Sequence, residues 1–577
     1  YVRQAELMSA RAESVRQTLI DAGGEANANA RARAQAFASL TAVAPEVASV
    51  SYTSGGQVLI IGSAETAPAA AAPLADQIGL HCILLITDSD QSPGTVNAIN
   101  GLHAVHGQLQ SLTGYLGEFI ALTGSELSGK ALQLALPADK PGFDLVLDLS
   151  DTPCITSAIP PPGYYRAPQG DSEALEEAWE EIPALVGEFE KPRYFLYNAA
   201  ICAHGRSGIQ GCNRCIETCP TDAITTNGDV IQVNPNLCQG AGSCATACPT
   251  GAITYGYPPV ADTLKYWRGL LKAYLQAGGE APVLLVYDAD VGRSIVERIV
   301  AGLGDNVLPV EVEELGSVGL DAWLAALAWG AAAVKLLATP EVAPSVRSEV
   351  EFQIQVAQAV LEGLGYSAGQ LGLVAETDVA ASTAATEGLQ CAAAGFAAID
   401  EKRTLISLAV DHLVTQSPNA PAVVALPAGA PFGEVSVDAE HCTLCMACVS
   451  QCPANALSAG DDSPQVRFVE ARCVQCGLCA SSCPESAISL SARLVTDASQ
   501  RNLMRTLHED EPFCCIRCQK PFATHSVIAR ISEKMKHHPM FSGDALERLK
   551  MCEDCRVKDM YETKNDASPD VHPGGHA

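Results

Sequence analysis

The stretch HCTLCMACVSQCPANAL spans residues 441–457, and the stretch RCVQCGLCASSCPESAI spans residues 472–488. Each contains three cysteines at intervals of three residues, and then a fourth cysteine four residues later that is followed directly by proline. This C-x2-C-x2-C-x3-C-P spacing is the one with which bacterial proteins hold 4Fe–4S clusters. Because both stretches follow it without exception, this part of the chain is expected to fold as two cluster-binding loops.

The fourth cysteine of each run is expected to differ in role from the first three. The first three thiolates, with two residues between each pair, surround one face of a cluster. The fourth reaches the neighbouring cluster. The predicted ligand sets are Cys442, Cys445, Cys448 and Cys483 for one 4Fe–4S cluster, and Cys452, Cys473, Cys476 and Cys479 for the other. Two zinc knuckles would show neither this exchange nor the Cys-Pro pairs. The region resembles the bacterial dicluster ferredoxin family, including the apolar pair Ala-Leu or Ala-Ile after each Cys-Pro.

A second cysteine-rich region precedes this one and modifies its pattern. The run GCNRCIETCPTDAI (211–224) follows an isoleucine at position 209, where the first cysteine of the motif would fall. Cys202 is the predicted substitute, because the glycine-containing loop after it is long enough to return its sulfur to the cluster. The predicted ligands of this 4Fe–4S cluster are Cys202, Cys212, Cys215 and Cys248.

The partner run, CQGAGSCATACPTGAI (238–253), has Ala241 in place of its second cysteine. Its predicted site has the thiolates of Cys219, Cys238 and Cys244. These match a 3Fe–4S cluster, or a 4Fe–4S cluster whose fourth iron carries water or an oxygen or nitrogen ligand. The pattern also fits a site that holds no cluster, or a structural cluster in which position 241 has drifted. The two runs resemble seven-iron ferredoxins. Clusters of different type within one chain differ in reduction potential.

The C-terminal cysteines form CxxC pairs without a following proline, in FCCIRCQKPF (513–522) and MCEDCRVKDMY (551–561). Paired CxxC units of this kind predict a closed tetrahedral zinc site, with another Fe–S centre as the alternative. The predicted zinc ligands are Cys515, Cys518, Cys552 and Cys555. The residues left out of this set are Cys514, His525, His537 and His538.

Composition limits the classes of function. The chain has 577 residues and a net charge of −30, which disfavours nucleic-acid binding. Most of its 23 cysteines fall in CxxC groups, which indicates metal ligands in a reducing compartment. The opening stretch does not read as a secretory signal, so we expect a cytoplasmic location. The most apolar stretch, 319–338, is interrupted by Asp321 and Lys335, so we expect a helix followed by a strand and no transmembrane segment.

Apolar runs outside the cysteine regions predict α/β domains. Residues 57–90 read as strand, turn, helix and strand, residues 143–151 as a further strand, and residues 281–338 as a second region of this type. The predicted fold class is α/β and multi-domain, with two α/β domains alternating with two dicluster ferredoxin-like modules. The predicted domains are a helical N-terminal segment (1–50), a Rossmann-like α/β domain (51–195), the first dicluster module (196–260), the second α/β domain (261–430), the second dicluster module (431–495), a zinc-ribbon-like domain (496–565) and a tail (566–577).

The turn GSAETA (62–67) follows a strand and opens a helix, as a dinucleotide-binding fingerprint does, but Ala64 and Ala67 replace its second and third glycines. A flavin- or nicotinamide-dependent oxidoreductase is therefore an alternative, and flavin is not expected. No catalytic side chains with persuasive spacing are found, so none is predicted. A redox-sensing assembly or regulatory protein is a further alternative.

Three longer stretches carry a wider resemblance: 187–215, 430–453 and 512–522. Over residues 140–560 the chain resembles large bacterial iron–sulfur proteins with two dicluster ferredoxin modules, which accompany molybdenum or tungsten formate dehydrogenases and related redox complexes. The resemblance implies an electron-transfer subunit of an oxidoreductase rather than its catalytic subunit. It also implies redox partner proteins, among them a dehydrogenase catalytic subunit.

Overall fold

The computed structural model describes residues 14–22, 27–40, 47–88, 92–138, 140–384, 391–417, 420–461, 463–541 and 543–566. The chain divides into two compact units. The first unit comprises Tyr1–Ala199, Asn213–Asn227 and Ile231–Pro418, and the second comprises Ala200–Cys212, Gly228–Val230 and Asn419–Ala577. Within the predicted N-terminal segment, residues 14–21 are helical, whereas residues 1–13 and the tail from 567 lie outside the described residues.

Helices of the first unit pack around parallel sheets. They are Ala28–Ser39, Thr66–Ala75, Glu126–Ala135, Ser172–Glu181, Arg214–Glu217, Ser243–Ala247, Val260–Gln276, Val291–Ile299, Leu320–Ala328, Pro344–Gly363, Val379–Ala384 and Lys402–Gln416. Its short strands outside the parallel sheets are Ser49–Ser54, Leu109–Thr113, Ile120–Thr123, Gly187–Pro192, Phe195–Tyr197, Ile224–Asn227 and Ile253–Tyr255.

The N-terminal sheet confirms the predicted strand–helix–strand unit. Its order is Val96–Ile99, Leu102–His106, His81–Ile86, Gln57–Gly62, Leu145–Asp148 and Tyr164–Arg166. All neighbours are parallel except the pair at the first edge. Every residue of Gln57–Gly62 is buried, as expected for a central parallel strand covered on both faces. Numbered along the chain, the parallel strands follow the order 3-2-1-4-5 of a doubly wound sheet.

The second sheet of this unit is parallel throughout. Its order is Val307–Val312, Val283–Asp288, Ala333–Leu337 and Leu371–Val374. The apolar stretch 319–338 forms the wholly buried helix Leu320–Ala328 and then the buried strand Ala333–Leu337, as predicted. Within the part of the chain that the structure describes, no helix combines the length and apolar character that crossing a membrane requires.

Two antiparallel pairs in the first unit lead into its cysteine loops. Ser49–Ser54 pairs with Gly187–Pro192, and Phe195–Tyr197 pairs with Ile253–Tyr255. The first pair brings Tyr52 opposite Phe189. Inward and outward residues alternate along Gly187–Pro192, so that Lys191 is buried while its neighbour Glu190 is exposed.

The second unit is built from short antiparallel sheets. Its strands are Gly205–Arg206, Ile209–Gln210, Val423–Ala425, Gly433–Val437, Leu457–Ala459, Gln465–Phe468, Ile488–Val495, Arg505–Glu509, Pro512–Cys514 and Pro521–Thr524. Its helices are Ala447–Gln451, Leu478–Ser481, Ala498–Asn502, His525–Met535, Asp544–Glu547 and Glu553–Asp566. Arg505–Glu509 pairs with Gln465–Phe468, which attaches the C-terminal region to the strands between the two cysteine runs.

An ion-pair network around one buried carboxylate supports this attachment. The Arg493 guanidinium donates to Glu470 at 2.8 and 3.0 Å and to Glu434 at 2.5 Å. Arg505 donates to the same Glu470 at 2.7 Å. Because Glu470 is only 5% exposed, loss of either arginine would leave a buried carboxylate with fewer partners, which is costly.

Candidate metal centres

The first complete cysteine set of the second unit surrounds one cavity. Cys442, Cys445, Cys448 and Cys483 all line this one cavity. Burial, and then the charges of Cys442, Cys445 and Cys483, raise the pKa of the Cys448 thiol to about 12. The fourth cysteine of the second run therefore lies with the first three cysteines of the first run, in the crossed arrangement that the spacing predicts.

The reciprocal set of cysteines surrounds a second cavity. Its lining includes Cys452, Cys473, Cys476 and Cys479. Burial, and then the charges of the other three thiols and of Cys448, raise the pKa of Cys479 to about 12. The interaction of Cys479 with Cys448 places the two cavities next to each other.

The chemistry of both sets fits iron–sulfur clusters. Thiols with raised pKa values keep their protons at neutral pH until a bound metal displaces them, so metal binding is coupled to deprotonation. Amide groups already point at the sulfurs: the Ala456 N–H donates to Cys452 Sγ and the Ala487 N–H to Cys483 Sγ, both at 3.3 Å. Such donors stabilise the negative charge of a bound cluster and tune its potential.

The cysteines of the earlier region are shared between the two units. Cys219, Cys238 and Cys244, the predicted three-thiolate set, lie together in the first unit. Burial, and then the charges of Cys238, Cys219, Cys215 and Cys248, raise the pKa of Cys244 well above its ordinary value. Cys202 and Cys212 belong to the second unit, so the set of Cys202, Cys212, Cys215 and Cys248 stays a prediction.

Ala241 lies in a loop that is closely packed against the turn Leu315–Ser317, which follows the strand Val307–Val312. Gly242 has φ +79°, in the left-handed region that favours glycine. A Cβ atom on Gly316 would lie 2.4 Å from the Ala241 carbonyl oxygen, and the Thr246 hydroxyl donates to the Gly316 carbonyl at 2.6 Å. The loop with the missing cysteine is therefore held by direct backbone contact.

Sequence reasoning missed a lysine beneath the three-thiolate set. Lys191 is only 7% exposed, and its ammonium group donates to the carbonyl oxygens of Asn236 at 2.9 Å and Cys238 at 2.6 Å. Nothing in the local sequence distinguishes it from a surface lysine in a charged strand, because the contact spans 47 residues.

A histidine in the loop that carries Cys202 was also missed. His204 is 1% exposed, and its Nδ1 lies 3.0 Å from the Cys212 carbonyl oxygen, which accepts only, so Nδ1 carries the proton. The Nε2 atom has no hydrogen-bond partner among the described residues. The loop thus offers a buried imidazole nitrogen as well as the Cys202 thiol.

The same loop lies against the second cysteine module within the second unit. The strand Ile209–Gln210 contacts the helix Leu478–Ser481, and a Cβ atom on Gly211 would lie 2.6 Å from Leu478 Cγ. Burial, and then the charges of Cys473, Cys452 and Cys212, raise the pKa of Cys476 to about 11. Cys212 is therefore close enough to the second cavity for the charges of the two thiols to interact.

The four C-terminal cysteines predicted to bind zinc lie together. The sulfur atoms of Cys515, Cys518, Cys552 and Cys555 all lie within 4.8 Å of one another. Zn–S bonds of about 2.3 Å place tetrahedral sulfurs about 3.8 Å apart, so the set fits zinc. Against the effect of burial, backbone N–H groups of Cys552, Cys518 and Arg517 lower the pKa of Cys515 to about 6, which favours its thiolate form. Cys514 is exposed.

Three N–H groups of the turn at residues 62–67 are already hydrogen-bonded within the protein. The N–H groups of Ser63 and Thr66 are bound by each other's hydroxyl oxygens, at 3.0 and 2.9 Å. The Ala64 N–H donates to Asp88 at 2.7 Å. A pyrophosphate would have to displace these partners and lie beside a carboxylate, so the turn does not favour a dinucleotide.

Comparisons with known proteins agree with the cysteine geometry. A family model described as a 4Fe-4S dicluster domain matches residues 441–488, and a second model with the same description matches residues 210–252. No curated protein gave a significant match. The chain is therefore an iron–sulfur protein with mixed helices and strands and two ferredoxin-type domains, and these domains support a role in electron transfer.

Proposed function

We propose that the chain is an electron-transfer subunit that relays electrons through four Fe–S clusters within an oxidoreductase complex. The observation that carries the proposal is the series of neighbouring thiols in the second unit. Cys448 of one cavity interacts with Cys479 of the next, and Cys476 of that cavity interacts with Cys212. Clusters bound at successive sites would lie close together, and electron tunnelling is fast only over short distances.

The proposed ligands are those expected from the sequence. They are Cys442, Cys445, Cys448 and Cys483; Cys452, Cys473, Cys476 and Cys479; Cys202, Cys212, Cys215 and Cys248; and the three thiols of Cys219, Cys238 and Cys244. Bound clusters supply one-electron redox chemistry. The protein would hold them through the thiolates and direct N–H groups at the sulfurs of Cys452 and Cys483.

We further propose that the C-terminal domain is a zinc-ribbon-like structural element, and that the domain borders follow those expected from the sequence. The partner proposed is a dehydrogenase catalytic subunit, such as that of a molybdenum or tungsten formate dehydrogenase, and this rests on the resemblance over residues 140–560. The flavin- or nicotinamide-dependent alternative receives no support from the turn at 62–67, where three N–H groups are already hydrogen-bonded.

Anaerobic titration with reduced methyl viologen tests the function. If each of the four clusters accepts one electron, the chain should take up about four electrons. The uptake is measured by the bleaching of its visible absorbance. Formate dehydrogenase catalytic subunit and formate should then reduce the oxidised chain without viologen. A chain that takes up no electrons would contradict the proposal, and rapid exchange with viologen without exchange with any dehydrogenase would favour the sensing alternative.

Replacement of Cys202 by serine should remove the cluster that includes Cys212. Because a serine oxygen binds iron less well than a thiolate, the iron content should fall by about four per chain. The matched control is His204→Gln, which changes a buried side chain in the same loop and should leave the iron count unchanged. Iron loss in His204→Gln with retention in Cys202→Ser would show that the histidine is the ligand.

Replacement of Ala241 by cysteine should complete the three-thiolate set. A 3Fe–4S signal in the EPR spectrum of the oxidised chain should disappear and be replaced by a 4Fe–4S signal after reduction. Gln239→Cys adds a thiol to the same loop outside the motif position and should not convert the signal. An unchanged spectrum for Ala241→Cys would show that the vacant ligand position has been assigned wrongly.

A further inference from the structure

Lys191 connects the N-terminal α/β domain to the loop of the three-thiolate set. It lies on the strand Gly187–Pro192, and its ammonium group donates to the backbone of Asn236 and Cys238. The hydrogen bond to Cys238, at 2.6 Å, is to the residue whose thiol belongs to the set. The lysine therefore holds a positive charge beside that thiol.

The surroundings prevent this charge from reaching water. The ammonium group lies 5.0 Å from the centre of the Tyr52 ring, and Tyr52 is itself only 5% exposed. The Tyr52 hydroxyl donates to the same Asn236 carbonyl at 2.6 Å. Lysine side chains ordinarily extend their charged ends into solvent, and here the aromatic ring and two carbonyl groups hold it inside.

Among the residues that the structure describes, no carboxylate pairs with Lys191. Within the described parts of the chain, Lys191 forms no ion pair, and the Cys238 thiolate is the group that favours its charged form. The acidic residues on its own strand, Glu188 and Glu190, are exposed on the other face. Lys191 is only 7% exposed, and a buried cation without a balancing anion is costly.

A buried cation without a carboxylate partner needs another anion, and the three thiols are the anionic ligands at hand. An iron–sulfur cluster with thiolate ligands carries net negative charge, and reduction adds one more unit. The attraction between a cation and that added charge is strong where water is excluded. A cation held beside the cluster thus stabilises the reduced form more than the oxidised form.

We infer that Lys191 is the counter-ion of the cluster bound by Cys219, Cys238 and Cys244, and that it raises the reduction potential of this cluster. The inference rests on the proposed function, because it requires a cluster at these thiols. Lys191 acts as a tuning residue and does not bind iron. The N-terminal domain thereby makes this cluster hold an added electron more tightly than it would without Lys191.

Potentiometric titration of the full chain, followed by EPR, tests the inference. In Lys191→Met and Lys191→Gln, the ratio of reduced to oxidised three-thiolate cluster at the unmodified midpoint should fall about tenfold or more, which corresponds to about 59 mV for one electron. Lys191→Arg, which keeps the charge, should stay close to the unmodified chain. Lys130→Met is the control, because Lys130 is an exposed lysine of the same unit, 68% exposed, and its loss should shift no cluster.

The outcomes separate the inference from the function on which it rests. A Lys191→Gln chain that binds the cluster at the unmodified potential would overturn the inference, because glutamine keeps hydrogen bonding and removes only the charge. If Lys191→Met loses the cluster, the reduction potentials of Lys191→Gln and Lys191→Arg still test the inference. Absence of any signal from the three-thiolate cluster in the unmodified chain would contradict the proposed function as well.

Discussion

Replacement of Cys483 by alanine is expected to remove the cluster of Cys442, Cys445 and Cys448, although Cys483 belongs to the other cysteine run. Its thiol lines the first cavity and not the second, and it interacts with the Cys448 thiol. The iron content should fall by about four per chain. The EPR spectrum of the remaining clusters should match that of Cys445→Ala and differ from that of Cys476→Ala.

The reciprocal replacement, Cys452→Ala, should match Cys476→Ala instead. Cys514→Ala is the control, because Cys514 is exposed and belongs to none of the proposed ligand sets, so its iron content should be unchanged. A Cys483→Ala spectrum that matches Cys476→Ala would mean that each run binds its own cluster. That result would contradict the crossed assignment even though the total iron loss were the same.

Replacement of Cys552 by alanine is expected to unfold the C-terminal domain. Cys552 is 4% exposed, and its sulfur lies 3.6 Å from that of Cys518. A structural zinc ion contributes about 10 kcal/mol or more to folding in small zinc domains, which exceeds what the few buried residues around it can supply. The variant should lose its zinc, and limited proteolysis should cleave within residues 515–566 while the clusters remain.

The control for this experiment is again Cys514→Ala, which leaves the zinc set intact and should resist the protease like the unmodified chain. Metal analysis by mass spectrometry measures zinc in each variant. Retention of zinc and of protease resistance in Cys552→Ala would show that the four cysteines do not form one site. Iron in place of zinc in the unmodified domain would favour the Fe–S alternative.

Local patterns were sufficient to predict the second cysteine module. The ligand spacing of Cys442–Cys483 is set by a cluster's dimensions, so the crossed arrangement follows from the sequence alone. The buried run Gln57–Gly62 and the helix and strand within 319–338 were likewise predicted, because continuous apolar runs of those lengths have few other places in a fold. The order of strands within each sheet was not predicted, since it depends on pairing between distant segments.

Lys191 and His204 were not predictable for the same reason. Lys191 meets Cys238 across 47 residues, and the burial of His204 depends on the packing of its loop. Hydrophobic pattern and motif spacing carry no signal for a charged or polar residue that is buried by distant contacts. The division of the first cysteine region between two compact units was also not readable from a motif that is continuous along the chain.

The most direct test of the central claim is an anaerobic count of iron, sulfide and zinc in the purified chain, with EPR in the oxidised and reduced states. The three complete cysteine sets and the three-thiolate set predict about fifteen or sixteen irons, with a similar number of sulfides, and one zinc ion. A 3Fe–4S signal in the oxidised chain should accompany 4Fe–4S signals after reduction. Four irons or fewer, or a colourless protein that binds only zinc, would contradict the account.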